Sequence, residues 1–316
     1  MTKARENSDY TGLAADIVAG DTAARAGRKN IFINGDFSVN QRGTGATTGG
    51  TYLTADRWKA GATTVTFETV ANDRDLSIAN MLKVTSHTNG YGIIVQAAED
   101  VRTTSGQNVT LSFWAKTANF SSFRLEFQQN FGSGGSGTVT VVDNASYFSV
   151  PNTGWNQYTA TIAMPSISGK TVGTSSYLNM VLGPNSGTSN GITYYSEVQL
   201  ELGSVATDFE HRSYGEELDL SQRYYQYIGT SPTSTSQMII WTADITTGQG
   251  YYHTTALNSV MRANPTVVIV ASANDGFSGG VSVSGLSKHR IRWVFNSTNT
   301  QQRGYIQWNY TAEAEL

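Results

Sequence analysis

Apolar and polar residues alternate along most of this chain, in short runs. Val65, Phe67 and Thr69 alternate with Thr66 and Glu68, and Ile93, Val95 and Ala97 with Ile94 and Gln96. Val109, Leu111, Phe113 and Ala115 keep one phase against Thr110, Ser112 and Lys116. Phe123, Leu125 and Phe127 oppose Arg124, Glu126 and Gln128, and Tyr158, Ala160, Ile162 and Met164 oppose Thr159 and Thr161. In the last run of this half, Tyr194, Val198, Leu200 and Leu202 are expected inside, with Tyr195, Glu197, Gln199 and Glu201 outside. A period of two puts one strand face in a core and the other in water. Breaks such as GSGGSG at 132–137 separate the runs. Many short strands without intervening helices predict a sandwich or jelly roll. No strict repeat of 20–50 residues is visible, which argues against a propeller or solenoid.

The rhythm changes after Gly203. Asp208, Phe209, Glu210, His211 and Arg212 form a polar connector around one aromatic. Acids in a first helical turn complement its dipole, so Glu216 and Glu217 after Gly215 predict a short helix at about 215–222. Phe209 is expected to bury in a joint between two domains, with Leu218 and Leu220 anchoring the helix. The Tyr-rich stretch 224–228 then begins a strand. Further strands are predicted at Gln237–Ile245, Tyr251–Ala256, Thr266–Ala271, Val281–Val283, Arg290–Phe295 and Tyr305–Thr311. Ile291, Trp293 and Phe295 share a face, as do Ile306, Trp308 and Tyr310, so both triplets read as core. The fold class is therefore mainly β: two antiparallel, jelly-roll-like sandwiches joined by a connector with a short helix. The boundaries are 1–29 for a polar N-terminal segment, 30–205, 206–228 for the connector, and 229–316.

Composition supports that division. Length alone, 316 residues, suggests two domains. Only 14% of residues are charged, and 32 are Gly. The formal net charge of −3 gives no global basic field, so nucleic acid is not an expected partner. There are no cysteines, which excludes disulfides and thiolate metal sites. No apolar run reaches the roughly 18 residues of a membrane span, so membrane insertion is not expected. The opening MTKARENSDYTG lacks the apolar stretch of a secretory signal, so synthesis in the cytoplasm of the producing cell is expected.

Several stretches then carry a resemblance. NIFINGDFSVNQRG (30–43), TADRW (54–58), VTLSFWAKT (109–117), VQLELGSVATDFEHRSYGEELDLSQRYYQ (198–226), MRANPTV (261–267) and WNYTAEAEL (308–316) occur in order. Together they resemble bacteriophage tail fibre and receptor-binding proteins. The resemblance implies a sandwich similar to carbohydrate-binding modules, a second β domain, a homotrimer, and a place in the virion tail. Residues 1–29 would attach to other tail proteins, and the far end would contact host surface glycan. Carbohydrate-module sandwiches often hold a structural calcium, which here would lie near Asn34, Asp36 and Glu197. No cofactor is otherwise implied.

Enzymatic signatures are missing. No GxSxG, Walker A loop, HExxH or dinucleotide glycine fingerprint occurs. His87, His211, His253 and His289 are scattered. Carboxylates adjacent in sequence, such as Glu197 and Glu201, are not thereby a glycosidase pair. No catalytic residue is assigned and a non-enzyme is expected. Sugar binding needs aromatic platforms beside hydrogen-bonding groups. Trp241, Tyr251, Tyr252 and Phe277 lie near Gly-rich turns or off the clearest core pattern, with Asn274 and Asp275 nearby. These six are the receptor-site candidates, placed on the second domain because the N-terminus reads as the attachment end. Two alternatives stay open: a tail adaptor or decoration protein without receptor binding, and a glycan depolymerase with a binding module.

Overall fold

The computed structural model describes residues 28–43, 47–48, 52, 54–61, 65–75, 77–86, 92–185, 191–229, 238–275, 277–298 and 300–316. The expected attachment segment lies almost wholly outside these residues, as does His87.

The first half contains β1 (Thr47–Thr48), β2 (Lys59–Ala60), β3 (Val65–Ala71), β4 (Asn80–Ser86), β5 (Ile94–Glu99) and β6 (Asn108–Thr117). It continues with β7 (Ser122–Asn130), β8 (Val139–Ser149), β9 (Asn156–Ala163), β10 (Tyr177–Pro184) and β11 (Ile192–Leu202). They form a six-stranded sheet, β1-β3-β4-β11-β6-β9, and a five-stranded sheet, β2-β5-β10-β7-β8. All pairings are antiparallel. The two inner faces close on one core. At its centre Phe113 stacks on Tyr158 at 5.1 Å and meets Phe123 and Phe148 edge-on. Each such ring contributes about 1.5–3 kcal/mol by burial.

Two strands depart from the expected phase. In β11, Tyr195 is buried and Tyr194 is not, while Val198 and Leu200 are inside as expected. A bulge between Ser196 and Gln199 inserts a residue, and Glu197 takes φ 54° there. An inserted residue reverses the parity of everything on one side of it. Leu202, expected inside, is 46% exposed at the strand's end. In β5 the core members are Ile94 and Ala98, with Gln96 on their face. The Gln96 side chain accepts from Ile33 N–H (2.8 Å) and donates to Ile33 C=O (3.0 Å). A buried amide that satisfies a neighbouring backbone can occupy a core-side position. The segment 30–35 runs along β11, where Ile31 N–H donates to Leu200 O and Val198 N–H to Gly35 O. A Cβ on Gly35 would sit 2.2 Å from Val198 O, so only glycine fits this approach.

The helix α1 (Tyr214–Gln222) follows. The Ser213 hydroxyl accepts from Glu216 N–H, which is the Ser-x-x-Glu spacing of an N-cap. Ser213→Ala should cost about 1 kcal/mol, checked by urea denaturation.

Then come β12 (Tyr225–Ile228), β13 (Met238–Ile245), β14 (Gly250–Ala256), β15 (Thr266–Asp275), β16 (Phe277–Leu286), β17 (Arg290–Ser297) and β18 (Gln301–Glu313). β18 is central to one sheet, pairing with β12, β13 and β15, and β14-β17-β16 form the other. Ile291, Trp293, Phe295, Ile306, Trp308 and Tyr310 fill the core between them, as their alternation predicts.

The joint differs from its expectation. Phe209 is only half-buried, and its ring meets His211 edge-on at 5.3 Å. Leu218 and Leu220 are likewise half-buried. Charged and polar contacts hold the halves together instead. Glu217, buried in α1, accepts from Asn34 N–H and from Arg212. Glu210 accepts from Lys29 and Asn30 N–H, and Arg212 also donates to Phe32 O. Arg223 pairs with Glu99 at 3.0 Å, and Tyr224 donates to the same carboxylate. Arg42 and Arg57 both reach Glu315.

Candidate ligand-binding site

The outer face of the five-stranded sheet is half-covered rather than open. Register sets its rows: Asn179 sits between Ala97 and Gln128, and Tyr177 between Glu99 and Asn130. Leu178, Met180 and Leu182 turn into the core, so Tyr177 and Asn179 must face outward. At the β2 edge, Tyr52 bridges to Lys59. These residues enclose a cleft of about 360 Å³, lined by Tyr52, Lys59, Tyr177 and Asn179 over Ala60, Gly61, Val95 and Ala97. Arg57 and Leu316 close one end.

That end is built by both halves of the chain. Arg57 is 1% exposed and takes φ 71°. Its guanidinium pairs with Glu315, donates to Ala97 O at 2.7 Å, and lies 3.5 Å from the Tyr224 ring centre. Arg42 pairs with Asp56 and Glu315, and stacks 3.7 Å over Tyr225. Tyr52 Oη donates to Leu316 O at 2.6 Å. Burial, helped by Glu315, pushes the Tyr52 phenol up to about 12, so it keeps its proton. Asp56 is fully buried, and burial pushes its carboxyl up to about 6 despite Arg42 and Gln41.

The cleft lining combines two tyrosines, an amide and an ammonium with small and apolar residues, and the Arg42 guanidinium and Lys59 ammonium lie 5.2 Å and 5.9 Å from the Tyr52 ring centre. Sugar rings offer an apolar face to aromatic side chains and hydroxyls to amides and charged groups. Tyr52 and Tyr177 are not among the six residues that the sequence singles out. The signal that finds Tyr177 is the alternation of Leu178, Met180 and Leu182 with Asn179 and Val181. Nothing local in the sequence brings Tyr52 to it.

The six sequence candidates do not converge. Phe277 is a correction: it is 6% exposed and packs edge-on against Phe295 (5.2 Å) and Tyr251 (5.7 Å). Apolar alternation in β16 and β17 draws this ring into the core, where it cannot meet a ligand. Tyr251 lies parallel to Phe295, and its hydroxyl accepts from Thr246 N–H. Tyr252, its strand neighbour, points to the opposite face, is 58% exposed and lies under Arg292. Asn274 is exposed on β15, in the other sheet. The side chains of Trp241 and Asp275 lie outside the described residues.

Nor do the calcium candidates fit that ion. Calcium needs several converging oxygens. The Asn34 amide donates to Val39 O and Asp56 O, and its oxygen accepts from Val39 N–H. Asp36 accepts from Ser38, and Glu197 pairs with the Arg74 cation. Among the described residues no group of three or more His, Cys, Asp or Glu side chains is placed to hold a metal.

No protein-family model matches the chain, and no curated protein matches it. Solved structures match at low similarity. The enzymatically active domain of tailspike protein 4 from bacteriophage CBA120 is 18% identical with a TM-score of 0.36, over 55% of this chain and 21% of that one. The CBM22-2 xylan-binding domain of Paenibacillus barcinonensis Xyn10C is 18% identical with a TM-score of 0.33, over 46% and 92%. TmCBM61, solved with β-1,4-galactotriose, is 12% identical with a TM-score of 0.33, over 55% and 99%. The chain thus spans about a fifth of the tailspike domain that it matches.

Proposed function

We propose that this chain is a glycan-binding adhesion protein of a bacteriophage tail, and that the sugar sits between Tyr52 and Tyr177. The observation that carries the reading is the cleft, whose lining includes Tyr52, Tyr177 and Asn179 beside Ala60, Gly61, Val95 and Ala97. The tail assignment rests separately on the ordered sequence signatures between 30 and 316. Under this reading the protein is a homotrimer in the virion tail. It joins other tail proteins through residues 1–29 and contacts host surface glycan. Trimers raise weak single-site affinity by avidity.

We further propose a non-catalytic role. The carboxylates bordering the cleft are engaged by arginines, Glu99 by Arg223 and Glu315 by Arg42 and Arg57. A carboxylate held in this way is a poor general base.

Binding to an array of bacterial surface polysaccharides tests the reading. Tyr177→Ala should weaken binding roughly tenfold or more, the loss expected of an aromatic anchor. Tyr252→Ala should leave it unchanged. The reverse pattern would move the site to the second half of the chain. Absence of binding to any glycan would favour the adaptor reading. Oligosaccharide release would overturn the non-catalytic one, and a monomer by light scattering the trimer.

A further inference from the structure

We infer that the outer face of the β14-β17-β16 sheet binds acidic polysaccharide, through Arg290 and Arg292 on its central strand. This surface is separate from the cleft and does not depend on it.

The strand β17 alternates. Ile291, Trp293 and Phe295 fill the core, so Arg290 and Arg292 share the opposite, exposed face. They lie roughly 7 Å apart along the strand. Among the described residues neither makes an ion pair, nor does Lys288 in the turn before them. Other arginines near the surface are matched: Arg102 pairs with Asp100, and Arg124 with Glu126 and Asp143.

Register shows what surrounds the two cations. Arg290 is opposite Ala256 and Arg292 opposite Thr254 on β14, and on the other side Arg292 is opposite Gly285 of β16. With Tyr252 and Ser282, these residues bring no acid to the face. The acids of this half are elsewhere. Asp244, Asp275 and Glu313 belong to strands of the other sheet. Glu315 is held by Arg42 and Arg57, and Leu316, with its terminal carboxylate, lines the cleft. Asp219 of α1 accepts from the Ser259 hydroxyl.

Arg292 is also held in place. Its Cζ lies 4.3 Å from the Tyr252 ring centre, so that ring braces a cation. On the other side its stem passes over Gly285, where a Cβ would sit 3.4 Å from Arg292 Cβ. The glycine leaves the face open beside the guanidinium. A guanidinium offers parallel N–H donors that match a carboxylate or a phosphate bidentately. Two of them on one face, with Lys288 at the start of the strand, suit an extended polyanion. Polysaccharide fits better than nucleic acid, whose binding rests on numerous phosphate contacts. This face has only these three cations, on a chain with a net charge of −3.

The test uses the full chain and one backbone in three forms: plain dextran, carboxymethyl dextran and phosphorylated dextran. Wild type should bind at least one charged form about tenfold or more tighter than plain dextran, and the form preferred names the anion. That binding should weaken as salt is raised. Arg290→Gln combined with Arg292→Gln should lose about tenfold on the charged form. It should melt where wild type melts, because neither residue has an ion pair to lose. Arg102→Gln combined with Arg124→Gln removes the same charge from paired positions and should bind as wild type does. Equal losses in the two double variants would reduce the effect to net charge and overturn the inference. Unchanged binding by the Arg290 and Arg292 variant would overturn it too, as would equal wild-type binding to charged and plain dextran. Tighter binding to single-stranded DNA than to either charged dextran would overturn the polysaccharide assignment.

Discussion

Glu315→Ala should destabilise the folded protein by about 3–5 kcal/mol, the usual cost of stripping one partner from a buried ion pair. Arg57 is 1% exposed and cannot turn to water when its carboxylate goes. It would keep Ala97 O and the Tyr224 ring, which hold a guanidinium but do not neutralise it. Arg42 would keep Asp56. Glu315→Gln preserves shape and removes only the charge, so it should recover little. The double variant Arg57→Met with Glu315→Leu should recover much more, since replacing a whole buried pair by apolar groups is often neutral. Urea denaturation reads all three. A loss below about 1 kcal/mol for Glu315→Ala would mean that Arg57 reaches water in the folded state.

Asp56→Asn should gain on the parent protein as pH rises from 4 to 7, by about 3 kcal/mol in all. Burial raises the Asp56 carboxyl from its ordinary 3.8 to about 6 in the fold. Below about pH 4 it is protonated in both folded and unfolded states. Between about 4 and 6 the unfolded chain has released the proton and the folded protein has kept it, so stability falls as pH rises. Above about 6 both forms are ionised and the whole penalty is in place. Asparagine cannot ionise and escapes it. Glu197 and Glu217 are also raised by burial and act in the same sense. Asp73, held low by Lys116, and Asp75, held low by Ser77, act in the opposite sense. Comparing the variant with its parent at each pH cancels these groups and isolates Asp56. A constant difference from pH 4 to 7 would show that Asp56 ionises in the fold as it does in water.

Much of the fold is legible from alternation alone. Phe113 and Phe123 are read as core and lie at its centre, and Trp293 and Trp308 behave likewise in the second half. Alternation fails where the backbone does something that side-chain types do not announce. Glu197 sits at a bulge, and no feature of its neighbours signals the added residue that turns Tyr195 inward. Gln96 occupies a core-side position because Ile33 needs partners across the sandwich, a contact 63 residues away in sequence. The joint is misread for a related reason. Phe209 draws attention as the connector's aromatic, yet orientation is set by buried charges such as Glu217 and Glu315, which read as surface acids in isolation.

The cleft is less legible than the fold. Its lining comes from a bridge at Tyr52 and from the start of β10 at Tyr177, and the pairing of Tyr52 with Lys59, Lys59 with Val95 and Val95 with Val181 sets the two tyrosines on different rows of the sheet. In the sequence, aromatics near Gly-rich turns stand out instead. That criterion selects Phe277, whose place in β16 puts it in the core, and Tyr252, which points to the opposite face from its neighbour Tyr251. Exposure near a turn is a weak guide, because a platform also needs partners on adjacent strands.

A crystal structure of the protein soaked with an oligosaccharide from a polysaccharide that it binds tests the central claim most directly. The account predicts sugar density in the cleft, with a ring against Tyr52 or Tyr177 and a hydroxyl on Asn179. Density on the second half of the chain beside Tyr252 and Asn274, with the cleft empty, would contradict it.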